Sequence, residues 1–178
     1  MKREKGFTLI ELLIVVAIIG INAAIANPSL LRARVSANEA AMIGDIRTVI
    51  SAQAAYQSAN GGWYAADLQC LSIPSGCIPG YQLASPTFLD PQVAGAAGAA
   101  SKQGYNRMFW PGGQAPNLPT TSDPNSTGQY AYAGTPSVQD QTGVRGFAGD
   151  ASGVICWTPD GTDPSGGLAS LPNPCSPI

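Results

Sequence analysis

The sequence predicts an α+β protein in which one long N-terminal helix is followed by a small antiparallel sheet. Three observations predict it. Residues 7–26 form a 20-residue, mostly apolar stretch dominated by Leu, Ile and Val. Beyond it, Val35, Met42, Val49 and Tyr56 recur every seven residues, with Leu31 and Ile46 filling the same stripe. From Gly61 onward the composition shifts to Gly, Pro, Ser, Thr, Asn and Gln around short candidate strands.

Composition narrows the function before any motif is considered. Of 178 residues only 20 are charged, 9 basic and 11 acidic, or 11%, against about 25% in an ordinary soluble domain. The length predicts one domain. With a formal net charge of −2 and a pI of 4.8, the chain lacks the clustered Lys and Arg of a general nucleic-acid surface, and no specific nucleic-acid site is expected. His is absent, which removes His-based triads and His-ligated metals. No nucleophile–base arrangement or paired-carboxylate site emerges, so neither enzymatic activity nor a cofactor is expected.

The charges fall into zones. Four lie at Lys2, Arg3, Glu4 and Lys5, and only Glu11 follows before Arg32. As a helix, residues 7–26 would be about 30 Å long, the depth of a bilayer hydrocarbon core, and the preceding cations would keep the N-terminus cytoplasmic. A cleaved secretory signal is one reading, with Ala24-Ile25-Ala26 as its site. A plain membrane anchor is another. Glu11 sits badly with both, because a carboxylate at bilayer depth is costly unless something pairs it.

The run Lys5-Gly6-Phe7-Thr8-Leu9-Ile10-Glu11-Leu12-Leu13-Ile14-Val15-Val16-Ala17-Ile18-Ile19-Gly20 resembles the prepilin signature of type IV pilins and type II secretion pseudopilins. The resemblance implies a leader at residues 1–6, cut by a prepilin peptidase between Gly6 and Phe7, and N-methylation of the new terminal Phe7. It also implies that Glu11 of one subunit pairs with the terminal amine of its neighbour, relieving an otherwise unpaired charge. Pro28 falls where pilins often carry a helix-kinking proline. Asn22 and Asn27 depart from the usual aliphatic pattern. Pro28 lacks an N–H, and the two amides could satisfy the carbonyls it frees, or the stretch could already lie at the aqueous edge.

Residues 29–60 are expected to continue the helix as an amphipathic stem, ended by Asn60-Gly61-Gly62. Arg32, Arg34, Glu39, Asp45 and Arg47 are expected on faces that meet water or neighbouring subunits. The Pro28-to-Ala41 segment, a proline before a basic, Ala-rich helix, also resembles pilin-like proteins. Residues 61–178 are the expected head. Residues 93–100 read as a short helix or a Gly/Ala loop, and 105–110, 129–132, 144–148 and 154–157 as strands, with 149–153 as a hairpin turn. A long helix with such a sheet is the pilin-like layout.

Cys70, Cys77, Cys156 and Cys175 would lie across the membrane from the basic leader, in an oxidising space. The pairing 70–77 and 156–175 is preferred because both loops close locally, each contributing about 3 kcal/mol in the chain-entropy model. A C-terminal disulfide loop also resembles the most variable region of pilins. Asp150, Asp160 and Asp163 are weak calcium candidates, since Asp-Gly-x-Asp is first of all a turn. Asn125-Ser126-Thr127 fits a short glycosylation pattern. Trp63, Trp110 and Trp157 are expected in core packing.

The function these readings imply is that of a structural subunit of a bacterial, pilus-like extracellular filament. It would enter the inner membrane as a single-pass precursor and assemble as a helical homopolymer with the pilus machinery. Two alternatives stand beside it: a pseudopilin of a periplasmic pseudopilus, and a membrane-anchored or secreted binding protein that does not polymerise.

Overall fold

The computed structural model describes residues 6–95, 101–172 and 175–178. The leader residues 1–5 and most of the 93–100 candidate lie outside the described residues; Val93 and Ala94 belong to a short helix, Pro91–Ala94. The chain divides into two compact units, residues 1–34 and 35–178.

Helix α1 runs over Leu9–Ala59 and continues through Pro28. Among the described residues of the first unit its apolar side chains have no neighbours to bury them, with Leu9, Ile18 and Ile25 exposed to 75, 54 and 68%. It is long and apolar enough, by length and composition, to cross a membrane. Near Pro28 the Ser29 hydroxyl donates to the Ala26 carbonyl at 2.9 Å; among the described residues neither the Asn22 nor the Asn27 amide makes such a bond.

In the second unit, Met42, Ile46, Val49 and Tyr56 of α1 are all but inaccessible and pack with Tyr105, Tyr132 and Phe147. Their 4-3-7 spacing places them on one side of the helix. The same stripe includes two polar members, Glu39 and Gln53, both buried. Leu31, expected in the stripe, is exposed, and Val35 is half-buried. Glycine ends the helix: Gly61 and Gly62 have φ of +65° and +96°, and the Gly62 amide bonds back to the Gln57 carbonyl at 2.9 Å. Such a left-handed turn satisfies the last orphan carbonyls at little cost only with glycine.

Two short elements, α2 (Gln69–Ser72) and a 3₁₀ turn (Pro74–Gly76), precede the Pro91–Ala94 helix, here α3. The sheet follows as β1 (Tyr105–Pro111), β2 (Tyr130–Pro136), β3 (Gly146–Asp150) and β4 (Ile155–Thr158), an antiparallel meander in the order β1-β2-β3-β4. Helix plus antiparallel sheet is the α+β class expected. The second strand continues four residues beyond its expected end, through Ala133 and Gly134, poor strand formers that central pairing accommodates. Gly134 faces the helix, where a Cβ would fall within the Met42 side chain.

Gly153 at φ +80° closes the turn between β3 and β4, its amide bonding to the Asp150 carbonyl at 3.0 Å. The other face of the central strands carries small side chains, Ala131, Ala133 and Ala148, all fully buried. Across it the C-terminal loop is fastened by Trp110 Nε1 donating to Asp163 (3.0 Å) and the Leu171 amide donating to Asp150 (2.9 Å). Disulfides link Cys70 to Cys77 and Cys156 to Cys175, the second tying this loop to β4.

Candidate assembly site and the ion pairs of the head

The sequence places Gly6, Phe7, Glu11 and Pro28 in one apolar segment, and the structure resolves their local geometry. Gly6 and Phe7 precede the helix, and Phe7 is 82% exposed. Thr8 then caps α1. Its amide and hydroxyl both donate to Glu11 Oε2, at 2.9 and 2.7 Å, and the Glu11 amide donates to Thr8 Oγ1 at 3.3 Å.

This is a capping box, in which residue and cap satisfy each other's orphan groups. The carboxylate also sits in the first turn, where the helix dipole favours an anion. Thr8 is the residue that the sequence reading leaves without a role, although Thr-x-x-Glu before an apolar run is the recognisable sign of such a box. A carboxylate has about four lone-pair sites, so the two bonds from Thr8 leave Glu11 able to accept from a further donor.

The second unit corrects two expectations. Glu39 and Asp45 do not face water; both are held by cations of the head. Glu39 is 7% exposed and accepts from the amides of Val144 (3.1 Å) and Arg145 (3.2 Å) and from Arg145 Nε (3.0 Å) and Nη2 (2.6 Å). The Arg145 guanidinium also lies 5.3 and 5.5 Å from the Phe147 and Trp157 ring centres. Next to Glu39, Asn38 donates to the Thr142 carbonyl at 2.7 Å, so the helix grips the loop that leads into β3. Asp45 pairs with Arg107, whose side chain has no solvent exposure, and lies 3.8 Å from Lys102. Spacing alone could not reveal these pairs, because their partners are separated by 62 and 106 residues.

Burial pushes the Glu39 carboxyl up, but the Arg145 guanidinium and the two amides outweigh it and hold the carboxyl below its usual range. A lowered folded value stabilises the fold above the unfolded carboxyl value of about 4.3, and that contribution is lost as pH falls through the folded value. Glu39→Gln should therefore weaken the fold near neutral pH and flatten the acid limb of its unfolding profile below about pH 4. Fluorescence-monitored acid titration of the detergent-solubilised protein measures this; identical acid limbs would count against the assignment.

Polar anchors surround the helix end. Asn60, fully buried, donates to the Trp63 carbonyl (3.1 Å) and Ser126 Oγ (2.7 Å) and accepts from the Asp123 amide (2.7 Å). Tyr56 donates to Asp123 at 3.1 Å, and burial followed by the nearby Asp123 charge pushes its phenol far above the usual range. Gln53 exchanges two bonds with the backbone of Ala65, at 3.1 and 3.0 Å.

Asp150, Asp160 and Asp163 are not brought together. Each caps its own turn, accepting from Ser152, Thr162 and Ser165 respectively. Among the described residues, the one grouping with metal-ligand proximity is Cys70, Cys77 and Asp123, and its two sulfurs are already bonded to each other. Ser126 and Thr127 of the glycosylation pattern are fully buried, whereas Asn125 is exposed. Trp63, Trp110 and Trp157 are half-buried, and Trp157 packs against the core cluster.

Comparison with known proteins accords with the N-terminal reading. Residues 1–26 match the family model described as the prokaryotic N-terminal methylation motif. The chain is 46% identical over 63 residues to the type IV wide pilus major component PilA4 of Thermus thermophilus, covering 35% of this chain and 48% of the relative. The match thus spans about half the length of that relative. No solved structure matches.

Proposed function

We propose that the chain is a structural subunit of a type IV pilus-like filament, processed between Gly6 and Phe7 and assembled through its N-terminal helix. The observation that carries this is the coincidence of a methylation motif over residues 1–26 with a helix whose apolar side chains, in residues 9–31, have no cover of their own. The likeness to a pilus component supports the same reading.

The mechanism is mechanical. In the precursor the apolar helix is stored in lipid, where its backbone is satisfied internally. Hydrolysis of the Gly6–Phe7 amide leaves a carboxylate on the leader and a new ammonium on Phe7. The Glu11 carboxylate, oriented by Thr8, accepts the ammonium of an adjoining subunit and fixes the stagger between copies. As the helix leaves lipid it is buried by its neighbours, so the apolar surface changes partners without meeting water. Prepilin peptidase and an inner-membrane assembly machinery are the implied partners.

Intact-mass analysis of the protein recovered from its native cells tests this. The expected species begins at Phe7 and is one methyl group heavier than the unmodified chain. A mature chain beginning at Asn27 would overturn it in favour of an ordinary secreted protein. Filament recovered from outside the cells supports the pilus; processed protein confined to the periplasm supports the pseudopilin alternative.

A further inference from the structure

The ion pairs of the head sort the remaining charge by sign. All three cations beyond residue 60, Lys102, Arg107 and Arg145, are engaged by two carboxylates of α1, Asp45 and Glu39. What α1 has left beyond its first turn is cationic: Arg32, Arg34 and Arg47 are exposed and, among the described residues, have no carboxylate partner. What the head has left is anionic. Asp67, Asp90, Asp140 and Asp160 are exposed, and no described cation lies within ion-pair distance of them.

Among the described residues, Arg47 is the cation of the head unit that has no carboxylate partner. It borders two grooves of about 560 and 380 Å³, the first lined by Ile50, Ser51, Val154 and Ile155, the second by Thr48, Ser51, Ala55 and Phe88. An arginine bordering two open grooves of mixed polar and apolar lining has its charge unmatched at home and room on both sides for the side chains of a partner.

We propose that Arg47 pairs with an exposed carboxylate on the head of a second copy of this chain. The contact rests on the polymer reading above and adds to it a surface outside the apolar segment. Charge complementarity selects the occupant: the same molecule supplies both an unmatched cation and unmatched anions, which favours the correct partner and its register. A helix-to-head contact is heterologous, each copy presenting a different patch to the next, and such contacts extend as open filaments wherever the rotation between copies does not close a ring.

The test uses the full-length chain expressed in filament-forming cells. Arg47→Glu should lower sheared filament yield by roughly tenfold or more, because it sets like charges opposite one another, with unchanged membrane levels of subunit; Arg47→Lys should keep most of the yield. In the Arg47→Glu background, one of Asp67→Arg, Asp90→Arg, Asp140→Arg or Asp160→Arg should restore assembly, which also shows that the doubly changed chain folds. Wild-type yield from Arg47→Glu, or failure of all four reversals to restore it, overturns the contact while leaving the polymer intact. A wild-type chain that forms no filament removes the polymer reading and this contact together.

Discussion

Glu11→Val should leave the chain inserted and processed, yet lower recovered filament by roughly tenfold or more, the scale set by one charge-assisted hydrogen bond. Removing a carboxylate from an apolar segment eases insertion, so a defect in membrane level is not expected. Under the proposed pairing the loss falls on assembly, where the Phe7 ammonium of an adjoining subunit would be left in an apolar bundle without its acceptor. Two effects are joined in this residue, since Glu11 also completes the capping box with Thr8. Glu11→Gln separates them: the amide oxygen still accepts from Thr8, but the negative charge is gone. Poor assembly of both variants assigns the effect to charge. Glu11→Gln filaments in wild-type quantity would assign it to capping and sink the pairing mechanism. Shearing assays beside immunoblots of the membrane fraction separate yield from supply.

The second large effect lies in the head. Asp45→Ala leaves the Arg107 guanidinium, which has no solvent exposure, without its counter-ion. Loss of one partner of a buried pair costs about 3–5 kcal/mol, because the remaining charge stays out of water. Little else at hand compensates: Arg107 Nη1 reaches the Lys102 carbonyl at 3.3 Å, and Nε has no hydrogen-bond partner among the described residues. Replacing both residues, Asp45→Ala with Arg107→Met, should recover most of that loss, since no charge is then stranded. Lys102→Ala, at a part-exposed ion 3.8 Å from Asp45, should cost less than about 1 kcal/mol. Denaturant unfolding in detergent, followed by the fluorescence of Trp63, Trp110 and Trp157, reports on all three. A stable Asp45→Ala variant would show that water reaches Arg107.

Both effects trace to carboxylates on one helix, and the sequence treats them very differently. Glu11 is conspicuous because it interrupts an apolar run; its surroundings are contained in neighbouring residues, so the sequence displays the anomaly directly. Glu39 and Asp45 look like ordinary charges on a helix face. Glu39 falls three residues before Met42 and Gln53 four after Val49, so the buried stripe passes through them, but a periodicity read only from apolar residues omits polar members. Their burial becomes sensible when Arg145 and Arg107 arrive from β-strands and loops remote in sequence.

The strands show the same division. β1 was legible because its aromatic and aliphatic residues alternate over a full strand length. β2 extends beyond its sequence signal, since Ala133 and Gly134 have weak strand preference and are held by neighbours on both sides. Val144 and Val154 look like strand residues but lie in loops; the Val144 amide is taken by Glu39 instead of a ladder partner.

Features that depend on nearby residues are written in the chain: a membrane-length apolar helix, its lone carboxylate, the Gly61-Gly62 stop and the α+β order of elements. Where the charge ends up depends on the folded arrangement. It spends the head's cations on the helix's buried carboxylates and leaves Arg47 facing outward. The reason is physical: hydrophobic periodicity is written locally, whereas an ion's partner is set by which distant segments the fold brings within a few ångströms.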